Sequence, residues 1–467
     1  MRTHPSEAFT LWGAAHEHGG VSGRFVAGAS ARLPLNEMLN GSVLDGRGEE
    51  LRGRSVLIAT RDQFLASMAL IELDGIARRI VLYPPDLPFE LLPAVIEAAS
   101  VDAVVADRSA MGPQVPRVQY FLPYAREIVP QQCDRSVQVA TEWILLTSGT
   151  LGIPKLVVHN LASLAGAINR ENPAAPNVVW STFYDIRRYG GLQIFLRALL
   201  TGSSLVLSSA SETAPAFMKR AGSLGVTHIS GTPTHWRRAL MSSSMHEMAP
   251  RYVRLSGEIC DEAVLTQLRS TYPEAQIVHA FATTEAGVAF EVKDGRAGFP
   301  VGVLESMPGV EMRIENQTLR VRSSRTATRY LGDRAPVLKG PDGFVDTGDL
   351  IEQRDGRCYF VGRRDGLINV GGLKVHPEEV EAVINGHPEV FMSLVKTKKN
   401  PVTGAVVVAD VVLRAESSSS VRDPRSIRND ILLCCRRSLS AHKIPAAINF
   451  VPELAVAESG KMLRGHV

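Results

Sequence analysis

The chain has 467 residues, 45% hydrophobic and 21% charged, with 51 basic against 48 acidic side chains and a formal charge of +3. This length implies two or three domains, and a near balance of charge without a long basic run leaves no footprint for nucleic acid. No stretch nears the roughly 18 apolar residues of a membrane span, and the N-terminus lacks the basic-then-apolar order of a secretory signal. Five scattered cysteines (Cys133, Cys260, Cys358, Cys434, Cys435) without metal-ligand spacing argue for free thiols and a cytoplasmic setting.

Residues 1–50 show weak periodicity. From Ser55 the pattern becomes regular: SVLIAT (55–60), RIVLYP (79–84) and DAVVAD (102–107) read as short strands, separated by helical spacing over 64–75 and 90–100. Strands alternating with helices predict a parallel, doubly wound α/β sheet. A second series follows, with strands at 204–209, 227–233, 253–257 and 276–285 and helices near 161–169, 190–202, 214–225 and 261–273. Two such packed sheets leave their strand-end loops lining one crevice.

Between the two series lies LLTSGTLGIPK, after the apolar run Trp143–Leu146. Thr147, Ser148 and Thr150 supply hydroxyls, Gly149 and Gly152 keep the loop open, and Lys155 stands at its far end, so N–H groups, hydroxyls and an ammonium can converge on phosphate oxygens. It is not the nucleotide-binding loop in which Gly-Lys is followed by a hydroxyl, because no Gly precedes Lys155 and no hydroxyl follows it.

Beyond Glu285 the composition turns to Gly, Arg and alternating residues, predicting a β subdomain over about 288–362 with a hairpin at 311–323 turning at Glu315–Asn316 and DTGDL (346–350) on a turn. A domain boundary is expected at residues 363–365. The remainder, 366–467, reads as a small α+β unit with a helix opening at Pro377, a hairpin over 391–413 and an amphipathic helix over 425–439.

In order along the chain, TSGTLGIPKL, FATTE (281–285), DTGDL, GRRDGLINVGGLKVHPEEVE (362–381) and SGKMLR (459–464) resemble the motifs of the adenylate-forming superfamily, which includes acyl-CoA synthetases, aryl-acid ligases, peptide-synthetase adenylation domains and luciferases. The resemblance runs from about residue 50 to the C-terminus, with Leu151, Leu156 and Ala282 departing from the family pattern. It implies a large N-terminal domain of two doubly wound sheets plus the β subdomain (1–362), a hinge at Asp365, and a small mobile C-terminal domain. Most of the family carries a longer N-terminal lobe, so this one is expected to be trimmed there, at the expense of part of the acid pocket's outer wall or of an oligomer surface.

The same resemblance assigns roles. Thr284 is placed on the α-phosphate of ATP, Glu285 on Mg²⁺, Asp349 on the ribose, Arg363 on ribose or phosphate, and Lys461 on the carboxylate and α-phosphate. Adenine is expected against Gly257, Glu258 and the backbone of Ala280–Ala282, with Phe281 as a ring wall. Gly371, Gly372 and Leu373 match the loop that admits a pantetheine thiol, from CoA or a carrier protein. The acid pocket falls to Tyr184, Arg187, Tyr189, His235 and Trp236, and its aromatic rings suit a compact or aryl acid; Arg187 and Arg188 could pair with a second carboxylate or polar tail, though the favoured reading of both is salt-bridged or solvent-facing. The implied activity is ATP-dependent acid–CoA ligation through an acyl-adenylate. The alternatives are transfer of the acyl group to a carrier protein or an amine, and a nucleotide-binding regulatory protein without catalysis.

Overall fold

The computed structural model describes residues 9–19, 23–107, 118–125, 127–147, 154–171, 177–332, 335–400, 404–414 and 423–454. The first sheet has seven strands in the order Arg329–Leu331, Lys155–His159, Glu142–Thr147, Arg79–Leu82, Ser55–Ala59, Ala103–Ala106 and Tyr120–Pro123. Its last five are parallel, and the strand order reverses at Ser55–Ala59, which is the doubly wound arrangement. The second sheet has eight strands, in the order Gly287–Val292, Gln276–Thr283, Tyr252–Ser256, His228–Gly231, Val179–Thr182, Ser204–Leu207, Phe25–Ala27 and Arg32–Pro34, antiparallel only at its two edges.

The weakly periodic N-terminus thus has a defined place. Phe25–Ala27 pairs in parallel with Ser204–Leu207 through Val26 and Ala27, a long-range contact that three residues of sequence cannot announce. One hydrophobic core joins the sheets: Val56 and Ile58 of the first and Leu205 and Leu207 of the second pack around the helices Gln63–Leu73 and Tyr189–Leu200. The helices Ala214–Ser223, Pro233–Leu240 and Glu262–Thr271 cover the second sheet's other face. Each of these three starts at a Thr or Asp whose side chain accepts a first-turn N–H, which satisfies a backbone donor the helix cannot.

A third, five-stranded sheet packs around Phe290, Phe299, Leu319 and Val345. Its hairpin Val310–Glu315/Thr318–Ser323 turns at Asn316–Gln317, not Glu315–Asn316: Glu315 still pairs with Thr318, and both turn residues have positive φ (52° and 63°), as a tight two-residue hairpin requires. DTGDL does not sit on a turn either. It lies inside the strand Val345–Arg354, where Gly348 takes φ +71° and the pairing slips one register between Leu350 and Ile351.

After Arg363 a single 3-10 turn, Arg364–Gly366, leads into the C-terminal unit. There a hairpin (Val390–Asn400, Gly404–Leu413) with the parallel strand Ala447–Phe450 packs against the helices Pro377–Asn385 and Pro424–Ser438 around Val380, Ile384, Ile431 and Cys435. All five cysteines are unpaired. Among the described residues no helix is long and apolar enough to cross a membrane.

Candidate active site

The loop expected to cradle phosphate joins two antiparallel strands, with Lys155 directly opposite Thr147. Ser148, Gly149, Thr150 and Gly152 lie outside the described residues, as does Lys461. The described end of the hairpin at Thr147 lies beside the turn that carries FATTE.

That turn connects Gln276–Thr283 to Gly287–Val292. Thr283 Oγ1 accepts the Ala286 N–H at 2.9 Å, and the carbonyl of Glu285 accepts the Ala327 N–H at 2.9 Å. Gly287 is required twice over: its φ is +76°, and a Cβ there would meet the Arg325 carbonyl at 2.5 Å. Beneath the turn, His159 Nε2 donates to the Thr284 carbonyl at 2.7 Å while Nδ1 faces Ser163 Oγ at 2.9 Å. Burial takes the His159 ring down to about 4, so it stays neutral near pH 7 and holds that one tautomer.

Turn and hairpin converge on one carboxylate. Glu285 Oε1 accepts from the Tyr330 hydroxyl at 3.1 Å and from Thr147 Oγ1 at 3.5 Å. Lys155 Nζ lies 5.5 Å from the centre of the Tyr330 ring. Burial, with Glu285 beside it, pushes the Tyr330 hydroxyl well above its usual value, so it remains a donor. Tyr330 is on Arg329–Leu331, an edge strand of three residues paired with Leu156–Val158, and no motif flagged it.

From the other side comes Arg363. Its Nε donates to Asp365 at 3.1 Å and its Nη1 lies 4.0 Å from Asp349. Burial works against this guanidinium, but Asp349, Asp365 and then Glu285 hold it above its ordinary value. Asp365 in turn is held low: burial opposes its charge, while Arg363, with Lys155 further off, more than offsets that. Residues separated by more than 200 positions, Thr147, Lys155, Glu285, Tyr330, Asp349 and Arg363, thus share one electrostatic neighbourhood at the strand ends.

The remaining candidates divide. Gly257, at φ +86°, opens the turn after Ser256, and Glu258 caps the helix Pro233–Leu240 by accepting the Thr234 N–H at 2.9 Å. Tyr184 donates to the Ser256 carbonyl at 2.5 Å, and His235 stands edge-on to it with ring centres 5.5 Å apart. Tyr189 is buried and lies 5.8 Å from His159. Ala280 and Ala282 flank a register slip in their strand.

Three expectations are corrected. Phe281 is no free ring wall: it stacks on Phe360 (4.7 Å) and Phe290 (5.7 Å) under the third sheet, because the slip after it turns its side chain that way. Trp236 is fully buried in the core beneath the second sheet, edge-on to Phe183 and Tyr272. Arg187 is also fully buried and closes on Asp185, while Arg188 forks onto Asp86 at 2.6 and 2.7 Å, so both are salt-bridged. Gly371 and Gly372 (φ +58° and +88°) form the tight turn of the hairpin Ile368–Val370/Leu373–Val375, whose tip is exposed, with Leu373 53% accessible. A Cβ on Gly372 would touch nothing within 4 Å, so in this arrangement backbone angle, not space, demands glycine there.

Magnesium fits this donor set. The ion takes one or two carboxylates and completes its shell with phosphate and water oxygens; among the described residues no three His, Cys, Asp or Glu side chains converge to hold a metal by themselves. Glu285 would be the protein ligand, oriented by Tyr330 and Thr147.

A doubly wound pair of sheets, a C-terminal α+β unit and this gathering of carboxylate, tyrosine, lysine and arginine at the strand ends define the class of adenylate-forming enzymes. The chain belongs to the AMP-binding enzyme family: the model of that family matches residues 82–326, and that of the AMP-binding enzyme C-terminal domain matches residues 379–461. Among curated relatives, the 2-succinylbenzoate–CoA ligase of Escherichia coli (strain K12) is 27% identical over 388 residues, covering 79% of this chain and 81% of its own. Among solved structures, the anthranilate CoA ligase AuaEII in complex with anthranoyl-AMP superposes with a TM-score of 0.78 at 16% identity, over 98% of this chain and 96% of that one. The o-succinylbenzoate CoA synthetase of Bacillus subtilis in complex with ATP and magnesium ion gives 0.73 at 19% identity, over 98% of both.

Proposed function

We propose that the protein is an ATP-dependent acid–CoA ligase for a compact or aryl carboxylic acid. A carboxylate oxygen of the acid attacks the α-phosphorus of ATP and pyrophosphate leaves. The thiol of CoA then attacks the acyl carbon of the mixed anhydride and AMP leaves. The observation that carries this reading is the convergence of Lys155, Glu285, Tyr330, Asp349 and Arg363, drawn from both sheets and the β subdomain.

Such a reaction asks the protein to neutralise charge and align partners more than to supply covalent chemistry. Lys155 and the hairpin loop would face the β- and γ-phosphates, Asp349 and Arg363 the ribose, and the Gly257–Glu258 turn the base. Glu285 would hold Mg²⁺, which when bound supplies charge stabilisation at the phosphates. Tyr330 keeps that carboxylate turned into the crevice. Lys461 would be delivered by the C-terminal unit for the first step and withdrawn for the second, with Asp365 as hinge and the Gly371–Leu373 tip then brought to the thiol's path. The relatives named CoA ligases support CoA as acceptor.

The test is acid-dependent exchange of labelled pyrophosphate into ATP, followed by mass detection of acyl-CoA. Exchange should be lost in Lys461→Ala and acyl-CoA should form with CoA alone. A folded protein that supports exchange with no acid in a broad panel would overturn the reading.

A further inference from the structure

The face of the second sheet that turns towards the helix Tyr189–Leu200 carries a polar rung where a core would be expected. Ser230 and Arg254 are direct partners in neighbouring parallel strands, so their side chains lie side by side on one face. Ile229, Val253 and Leu255 occupy the opposite face, in the hydrophobic core there. Ser230 is 0% and Arg254 3% exposed. Arg254 Nη2 and Ser230 Oγ are both buried without a hydrogen-bond partner among the described residues. A buried donor left unmade costs about 1–3 kcal/mol, and two adjacent ones on one rung point to a group that completes them.

The charge around them has the same sign. Arg254 Nε donates to Glu291 at 3.1 Å, and Arg197, seated over the Trp180 ring, lies 4.0 Å from the same carboxylate oxygen. Two guanidiniums therefore share one carboxylate. Burial opposes the charge of Glu291, but Arg254 and Arg197 outweigh it and hold the carboxyl low, so the excess is one positive charge.

The rung lies next to the acid pocket. The Tyr184 hydroxyl donates to the backbone carbonyl of Ser256, two residues beyond Arg254, and Arg254 is close enough to act electrostatically on both Tyr184 and Tyr189. Gly257 is three residues from Arg254, about 10 Å along the strand.

Resting on the ligase reading above, we propose that Arg254 and Ser230 form the floor of the acid pocket and bind a second carboxylate of the substrate, so that the protein activates compact dicarboxylic acids, one carboxyl reacting at the nucleotide and the other held by this pair. A site built to hydrogen-bond a group discriminates strongly against the analogue lacking it, because its own buried donors are then stranded.

The test compares benzoate with its 1,3- and 1,4-dicarboxylic counterparts in pyrophosphate exchange. The wild type should favour at least one diacid about tenfold or more in kcat/KM, chiefly through KM. Arg254→Met should collapse that ratio towards one, Arg254→Lys should retain part of it, and Ser230→Ala should reduce it by about five- to tenfold. Thermal melts verify folding; should Arg254→Met not fold, Ser230→Ala and Arg254→Lys carry the test. A wild type that exchanges with benzoate as well as with either diacid, or variants that slow both classes equally, overturns this inference alone. Absence of exchange with every acid overturns the ligase reading and this one with it.

Discussion

Tyr330 offers the cleanest perturbation of the site, because its hydroxyl and its ring do different things. Tyr330→Phe removes the donor 3.1 Å from Glu285 Oε1 and leaves the ring beneath Lys155. A typical hydrogen bond contributes about 0.5–1.5 kcal/mol and one to a charged group about 1.5–3 kcal/mol; with Glu285 only half-buried a value between the two applies, about 1–1.5 kcal/mol. That is about a 5- to 12-fold fall in kcat/KM for ATP. Tyr330→Leu also loses the cation–π contact, about 0.5–1 kcal/mol at a partly exposed site, for a further two- to fivefold. The assay is acid-dependent pyrophosphate exchange at several Mg²⁺ concentrations, with the denaturant midpoint as a control for folding. The Phe variant should need more Mg²⁺ and keep its midpoint. A Phe variant within twofold of wild type, or one indistinguishable from Leu, would refute the role given to the hydroxyl.

Three other outcomes follow from named contacts. His159→Leu strands the Thr284 carbonyl and should cost about 1–3 kcal/mol of stability together with a loss of exchange, read by urea unfolding; unchanged stability would show that water replaces the ring without cost. Gly287→Ala forces a side chain into left-handed backbone, about 1–2 kcal/mol, and into the Arg325 carbonyl, so both the midpoint and exchange should fall. Glu72 is raised to about 7 because burial opposes its charge, which the donors Ser42 and Val43 only partly offset. A raised carboxyl adds stability that is whole below its unfolded value, near 4.5, and is lost as pH climbs through 7. Glu72→Gln should therefore gain on the wild type by up to about 3 kcal/mol between pH 4 and pH 8, measured by denaturation at stepped pH, and a pH-independent difference would refute the assignment.

The doubly wound sheets were legible because their strands are apolar runs separated by helices of periodic pattern, and the order of the motifs located the crevice. What escaped was decided by partners far away in sequence. Arg329–Leu331 is too short to show a period and becomes a strand only by pairing with Leu156–Val158. DTGDL has turn chemistry, yet Gly348 uses its positive φ to bulge a strand that continues to Arg354. Asp86, which neutralises Arg188, lies 102 residues earlier.

Helical geometry accounts for Trp236. Successive residues of a helix point about 100° apart, so His235 and Trp236, adjacent on Pro233–Leu240, diverge: His235 meets Tyr184 and Trp236 enters the core. Arg254, which no motif flagged, is the converse case. In VRLSG its alternation with Val253 and Leu255 reads as the wet face of a half-buried strand, and only the helix Tyr189–Leu200, laid across that face by the joint core of the two sheets, turns a surface arginine into a buried one. Alternation gives the facing of a side chain but not what covers that face, and here the covering layer decides whether the residue is solvated or able to recognise a ligand.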